Sequence, residues 1–171
     1  RRMLVDETFV SDGKTPSLYT AVNALLVAMG LAHVFAFSKA EDQRRKDLLA
    51  CEEKPRHEKT GIWKTPQMQG DLHVTSFHNR RQGYIKEYFR MVNISGRDLN
   101  LADYVVENCE TKQRIPLPAI LVPAGVPVQV YSNVKKQNRD FESGNPLSVS
   151  LDAGDDFYFC LRSALRRRKL C

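Results

Sequence analysis

Apolar and polar positions divide this chain into two parts with different periods. Up to Trp63 the pattern is mostly helical, and from Asp71 onward it alternates. Leu25, Leu26 and Met29 recur at helical spacing behind Asn23, whose side-chain oxygen suits a helix N-cap. Gly30 is a natural stop, so a short helix is expected between the two. A helix that short needs a surface to lie on. Before it, Met3–Val10 and Leu18–Val22 read as strands joined across Ser11-Asp12-Gly13-Lys14. After it, Val34, Phe35 and Phe37 read as apolar anchors. Lys39–Lys54 is dense in charge, with Leu48 and Leu49 among its few large apolar groups. That predicts a solvated helix resting one narrow stripe on a core. Pro55 removes a backbone donor and is expected to kink or end it. Gly61-Ile62-Trp63 reads as a compact return in which the single Trp pins the chain to the core.

Lys64–Gly70, with Pro66 and Gly70, is the clearest boundary, because helical periodicity stops there. Beyond it the expected strands are Leu72–Phe77, Tyr84–Ile94, Leu101–Asn108, Ile115–Ile120, Val126–Tyr131, Leu147–Leu151 and Phe157–Leu161. Pro116 and Pro118 confine the fourth to an edge or an irregular piece. Short strands with regular turns and one apolar face each argue for an antiparallel sandwich.

Charge changes the picture at one end. The net charge is +6. Residues 162–171 hold Arg162, Arg166, Arg167, Arg168 and Lys169 and no acidic group, so the basicity is largely a tail. Such a tail attracts phosphate backbones or acidic protein surfaces, and is equally a solvated end. Arg166, Arg167, Arg168 and Lys169 are the candidate nucleic-acid contacts. With 171 residues and 42% hydrophobic content, one large or two small cores are affordable. No run of eighteen apolar residues occurs, so no membrane span is expected. The chain opens Arg1-Arg2 with no signal-like apolar segment, and is expected to be a fragment, a processed chain or part of something longer. Cys51, Cys109, Cys160 and Cys171 form no C-x-x-C pair and have no His at zinc spacing. Free thiols in a reducing compartment are the simplest reading.

Candidate chemistry is thin. Asp152, Asp155 and Asp156 suit a hairpin turn better than a cation site. His73 and His78, five apart near a strand, are expected on opposite faces, and His33 and His57 have no evident partner. Arg80-Arg81 and Lys135-Lys136 are short basic pairs in loops. Tyr84, Lys86, Tyr88 and Arg90 interleave aromatic and basic groups, which alternation on a half-buried strand explains without a stacking platform.

Two family resemblances add to this. Val22-Asn23, then Ala24-Leu25-Leu26-Val27-Ala28-Met29-Gly30-Leu31-Ala32, then a charged helix and Gly61-Ile62-Trp63 resemble the C-terminal half of the staphylococcal-nuclease family. That resemblance implies a five-stranded OB-type barrel with packed helices and calcium-assisted phosphodiester hydrolysis. It implies acidic metal ligands on early strands that precede this sequence, and arginines that neutralise the phosphate. Arg2, before Met3-Leu4-Val5, is the one catalytic position carried over. The missing strands, or a protein partner, would complete the barrel, and the chain is expected to be inactive alone.

Phe89-Arg90-Met91-Val92-Asn93-Ile94-Ser95-Gly96, Leu99–Tyr104 and Leu121–Val130 resemble the lamin-tail family, with Tyr104 where that family usually has Trp. This implies an immunoglobulin-like interaction module, found in nuclear-filament proteins and attached to bacterial nucleases. The expected fold is thus mainly β with helices: a partial OB-type barrel with two helices, then an immunoglobulin-like antiparallel β-sandwich. The expected divisions are 1–64, a linker at 65–70, 71–161 and a basic tail at 162–171. Function is expected to be that of a nuclease-like fragment, or else a scaffold or nucleic-acid-binding module without catalysis. Unpaired cysteines favour an intracellular setting, while the nuclease and lamin-tail pairing suits a bacterial exterior.

Overall fold

The structure is a computed structural model that describes residues 18–37, 42–78, 88–108, 112–132, 147–151 and 159–163. Helix α1 is Leu18–Ala28 and helix α2 is Asp42–His57. Among the described residues nine strands follow: β1 Leu72–His78, β2 Tyr88–Asn93, β3 Leu99–Asn100, β4 Tyr104–Asn108, β5 Arg114–Pro116, β6 Leu121–Val122, β7 Pro127–Ser132, β8 Leu147–Leu151 and β9 Phe159–Ser163. They form a four-stranded sheet in the order β1-β2-β7-β8, a three-stranded sheet β5-β4-β9 and the pair β3-β6. None of these sheets closes into a barrel. The fold is mixed, mainly β.

The first correction concerns Leu18–Val22, expected as a strand. It is the first part of α1, so Asn23 lies inside the helix and is exposed rather than capping it. Ala24 and Val27 are the buried positions of α1 (8% and 4% exposed) and sit at i and i+3, the spacing of one helical face. Leu25, Leu26 and Met29, expected as the apolar side on which the helix lies, point outward instead, and with Val22 they are all exposed. They too follow i, i+3, i+4, i+7 spacing, so α1 has a bare apolar face.

The helix ends where Gly30 takes a left-handed φ of 68°. Leu31 N closes the turn on Leu26 O at 2.9 Å. Gly30 is then caught by the return after α2: Ile62 N donates to Gly30 O at 2.8 Å, and a Cβ at Gly61 would collide with the Gly30 carbonyl. Two glycines meeting backbone to backbone explain why the chain can turn back so tightly. Pro55 does not end α2 at once. The helix runs two residues further, to His57, and Thr60 N closes on Pro55 O at 2.9 Å. Trp63 lies in a 3₁₀ turn, Gly61–Lys64, and is 1% exposed. It packs with Met68, Val92 and Ile94, as its role as a pin requires.

Residues 65–70 are held in place as well. Pro66–Met68 is a second 3₁₀ turn, Met68 is buried, and Gln69 Nε2 donates to the Trp63 carbonyl. The main core lies on the other side of the four-stranded sheet. Phe89 and Met91 of β2 and Val128 and Val130 of β7 face Tyr104 and Val106 of β4, with Leu101 and Leu117 between. The register pairs Phe89 with Val130 and Met91 with Val128, so these four share one face.

Strand direction departs from expectation at one edge. β7 and β8 run parallel, pairing Val128 with Leu147 and Ser132 with Leu151, whereas an all-antiparallel arrangement was expected. A parallel pair needs a long crossover. β5 is an edge strand, as its Pro116 requires, and Pro118 falls beyond its end. Tyr84–Glu87 of the expected second strand lie outside the described residues, and Leu101–Asp103 form a 3₁₀ turn instead of the start of β4. That turn is capped by Asn100, whose side chain accepts from Ala102 N at 3.1 Å.

Asn93 shapes the bend between β2 and β3. Buried completely, it donates from Nδ2 to Arg97 O (2.7 Å) and Val122 O (2.8 Å), and accepts at Oδ1 from Ser95 N and Ser95 Oγ. Every polar atom of the side chain is satisfied, which is the condition for burying an amide.

Candidate nucleic-acid interface

The helical unit and the four-stranded sheet meet along Val34–Phe37. This stretch is extended, so successive side chains point to opposite sides. Val34 and Ala36 are buried (2% and 5%), while Phe35 and Phe37 are exposed (37% and 38%). The reading of Val34, Phe35 and Phe37 together as anchors is therefore corrected: the small residues anchor and the rings face out. Ala36 N donates to Gly125 O at 2.9 Å, and the Val34 side chain fills the space where a Gly125 Cβ would stand.

Helix α2 fastens the same seam with charge. Glu52 is 2% exposed and accepts from Val34 N at 2.7 Å, with Arg56 Nη1 3.7 Å from its other oxygen. Burial pushes its carboxyl up to about 7, against the opposing pull of the Val34 N–H and the Arg56 charge. Arg45 donates from Nη1 to Ala124 O at 2.8 Å and pairs with Asp42. Asp42 is held down to about 2 by Lys46 and Arg45, both of which donate to it. Arg56 lies over Gly96 in the bend after β2, where any side chain at 96 would strike the guanidinium. Within Lys39–Lys54, expected as a mostly solvated helix, Arg45 and Glu52 are thus buried: Glu52 holds the Val34 stretch, while Arg45 and, beyond Lys54, Arg56 reach the β part.

Around this seam the rings form a run. His73 and His33 stand 6.0 Å apart between centroids, His33 and Phe35 6.1 Å, and Phe35 and Phe37 4.8 Å, all edge to face. Arg90 Cζ lies 5.8 Å from the Phe37 centroid and 6.0 Å from that of Tyr88. Tyr88 in turn is 5.5 Å from Tyr131. The register pairs Tyr88 with Tyr131 and Arg90 with Gln129, on the face opposite the main core. His33 and His73 also line a cavity of about 600 Å³ with Leu31, Phe35, Ile62 and Met68. His33 Nδ1 donates to the Val34 carbonyl at 3.0 Å, since a carbonyl can only accept. Burial and the neighbouring His33 pull His73 below its ordinary value.

His33, expected to have no partner, therefore has one. It is forty residues away in the chain, which no local pattern reveals. The signal that was available is the alternation of small and large groups in Val34-Phe35-Ala36-Phe37. Arg2, Arg166, Arg167, Arg168 and Lys169 lie outside the described residues, as do Asp152, Asp155, Asp156, Cys109 and Cys171. Among the described residues no group of three or more His, Cys, Asp or Glu is placed to hold a metal. Calcium takes six to eight oxygen ligands. The carboxylates described here are instead spread out, with Asp42, Glu52 and Glu107 each beside a cation, so these residues do not fit that ion. No helix among the described residues is long and apolar enough to cross a membrane.

Residues 14–65 match the family described as Staphylococcal nuclease homologue. The matched stretch spans α1, Gly30, α2 and the Trp63 return, so the chain carries a staphylococcal-nuclease-like segment. No curated protein gives a significant match to the chain.

Proposed function

We propose that this chain is part of a nuclease-like protein that engages nucleic acid. Residues 1–64 are the later strands and helices of an OB-type nuclease domain. Residues 71–161 are a lamin-tail-like sandwich serving as an interaction module, and 162–171 are a basic tail that adds phosphate contacts. The observation that carries this reading is the coincidence of the family match with the stretch from α1 through α2 to the Trp63 return, which Ile62 N ties back to Gly30 O. The bare face of α1, with Val22, Leu25, Leu26 and Met29, is where the nuclease barrel's strands would lie. Calcium-assisted hydrolysis belongs to the complete domain, and the isolated chain binds nucleic acid without cutting it.

The test is to incubate the purified chain with single-stranded DNA, duplex DNA and RNA, with calcium and with chelator. Retarded but intact nucleic acid, with binding that weakens as salt rises, is the expected result. Chelator-sensitive cleavage would overturn the inactive assignment, and no binding at low salt would overturn the nucleic-acid reading. That same bare apolar face favours a second reading, a scaffold module whose α1 packs against a partner chain. Under that reading the chain associates with protein and leaves nucleic acid free in the same assay.

A further inference from the structure

We propose that His33 and His73 together form a copper(I) site, in which one ion bridges the helical unit to the four-stranded sheet. This goes beyond the nucleic-acid reading and does not depend on it.

The two imidazoles come from different parts of the fold, and each is placed by its neighbours. His33 precedes Val34, whose N–H is held by Glu52 at 2.7 Å. His73 lies on β1, paired with Val92 of β2. Leu72 and Val74 on either side of it pack against the main core, so alternation turns His73 to the other face of the sheet. The ring centroids stand 6.0 Å apart, with their planes at 76°. An ion bound to one nitrogen of a ring lies roughly 3.2 Å from its centroid, a metal–nitrogen bond of ~2.1 Å plus the ~1.1 Å from ring centre to nitrogen. Two such reaches span ~6.4 Å, so a separation of 6.0 Å admits one shared ion in a bent bridge.

Each ring already has one nitrogen engaged. His33 Nδ1 donates to the Val34 carbonyl at 3.0 Å, and His73 donates to the Gln67 carbonyl. A neutral imidazole that donates from one nitrogen keeps a lone pair on the other. Tying the N–H to a backbone carbonyl also fixes the ring and makes the free nitrogen more basic, which is the outer-shell arrangement of metal-ligating histidines. Two neutral acceptors side by side gain nothing from each other, whereas a shared cation satisfies both.

The surroundings select the ion. Leu31, Phe35, Ile62 and Met68 line the cavity beside the pair, and among the described residues no carboxylate or thiol does. A divalent ion held only by neutral donors keeps its full charge against apolar walls, and two imidazoles leave zinc short of its tetrahedral set. Copper(I) carries half that charge, accepts low coordination numbers and takes imidazole. It is also soft, and the Met68 thioether on the same cavity is a donor of the kind it favours. Because the ion would join the stretch after α1 to β1, binding it should stabilise the fold.

The experiment uses the full chain with its thiols alkylated by iodoacetamide, since cysteine competes for copper(I). Under anaerobic conditions copper(I) is titrated against bicinchoninate as competing chelator. The titration is read for the native chain, His33→Ala, His73→Ala and, as control, His57→Ala, an exposed histidine at the end of α2. The native chain should bind a single ion. Each of the first two variants should lose about 100-fold or more in affinity, beyond what loss of an outer-shell partner costs, and His57→Ala should lose nothing. Zinc should bind at least about tenfold more weakly than copper(I). Copper(I) is diamagnetic, so the imidazole nitrogen NMR signals of His33 and His73 in the native chain should shift together, a readout that does not depend on how the variants fold. The melting temperature should rise with copper(I) in the native chain and stay fixed in the two variants.

Copper(I) affinity that survives either substitution overturns the site. So do imidazole signals that move for one ring alone, zinc binding as tight as that of copper(I), or failure to compete with the chelator at all. None of these outcomes bears on the nucleic-acid reading, which the retardation assay decides separately.

Discussion

Glu52 on α2 accepts the backbone N–H of Val34 in a buried hydrogen bond of 2.7 Å, across eighteen residues of chain. That one bond holds the extended Val34–Phe37 stretch against the helix. The same stretch reaches the β part through Ala36 and Gly125. The carboxylate therefore sits where the helical unit, the ring run and the sheet come together.

A pH dependence follows from it. The folded-state value of about 7 lies above the ordinary 4.5, so the folded chain holds this proton more tightly than the unfolded one. The group's contribution to stability is full below about 4.5 and is lost as pH rises to about 7. The whole swing is roughly 3 kcal/mol at ~1.4 kcal/mol per unit. Glu52→Gln keeps an acceptor for Val34 N but cannot ionise. Urea unfolding at pH 5 and pH 8 should show the variant gaining on the native protein as pH rises. Parallel stability curves for the two would remove Glu52 as the cause.

The seam at Gly125 should tolerate no side chain. Its φ is 75°, and an added Cβ would lie 2.7 Å from Val34 Cγ1. Gly125→Ala combines left-handed strain with overpacking and is expected to cost about 2–4 kcal/mol. Gly70→Ala is the comparison, because the nearest atoms there are 3.7 Å away and no φ strain arises. Denaturant midpoints that shift equally for both would contradict the close approach of Val34.

Trp63 offers an optical readout, since it is the only tryptophan in the chain. At 1% exposure its emission should be blue-shifted and should move red in one step with unfolding of the sheet, because it packs on Val92 and Ile94. Trp63→Ala is expected to destabilise by about 3–5 kcal/mol. A red-shifted emission in the native state would show that the return does not pack as described.

Tyr104 combines core packing with a hydrogen bond from its hydroxyl to Asp71 Oδ2 at 2.8 Å. Burial and the adjacent Asp71 carboxylate push its ionisation up. Tyr104→Phe keeps the ring and removes that bond, so a loss of about 1 kcal/mol is expected. A spectroscopic titration should find this tyrosine ionising later than the others, and an ordinary titration would argue against its burial beside Asp71.

Local signals in the chain were sufficient for the Gly30 stop, the charged helix, the Trp63 return and the strands at 72–78, 127–132 and 147–151. Each depends on spacing or on a residue's own backbone limits, which act over a few positions. The same kind of signal failed at Leu18–Val22. Its pattern fits a strand, but Ala24 and Val27 pack inward as one helical face, and α1 extends back from them through this stretch. The nuclease-like segment was legible because helix, stop and return occur in fixed order. Lamin-tail kinship remains a proposal resting on short motifs such as Asn93–Gly96, whose buried amide network gives them a structural reason.

By itself the sequence determined where the chain turns, which stretches are periodic, and that its basic excess gathers near the end. Only the tertiary structure decided that α1's larger apolar groups stay exposed, that β7 and β8 run parallel, and that His33 meets His73 while Phe37 meets Arg90. Periodicity says that a residue has a buried side, whereas which side is buried and what lies across from it depend on elements far away in the chain.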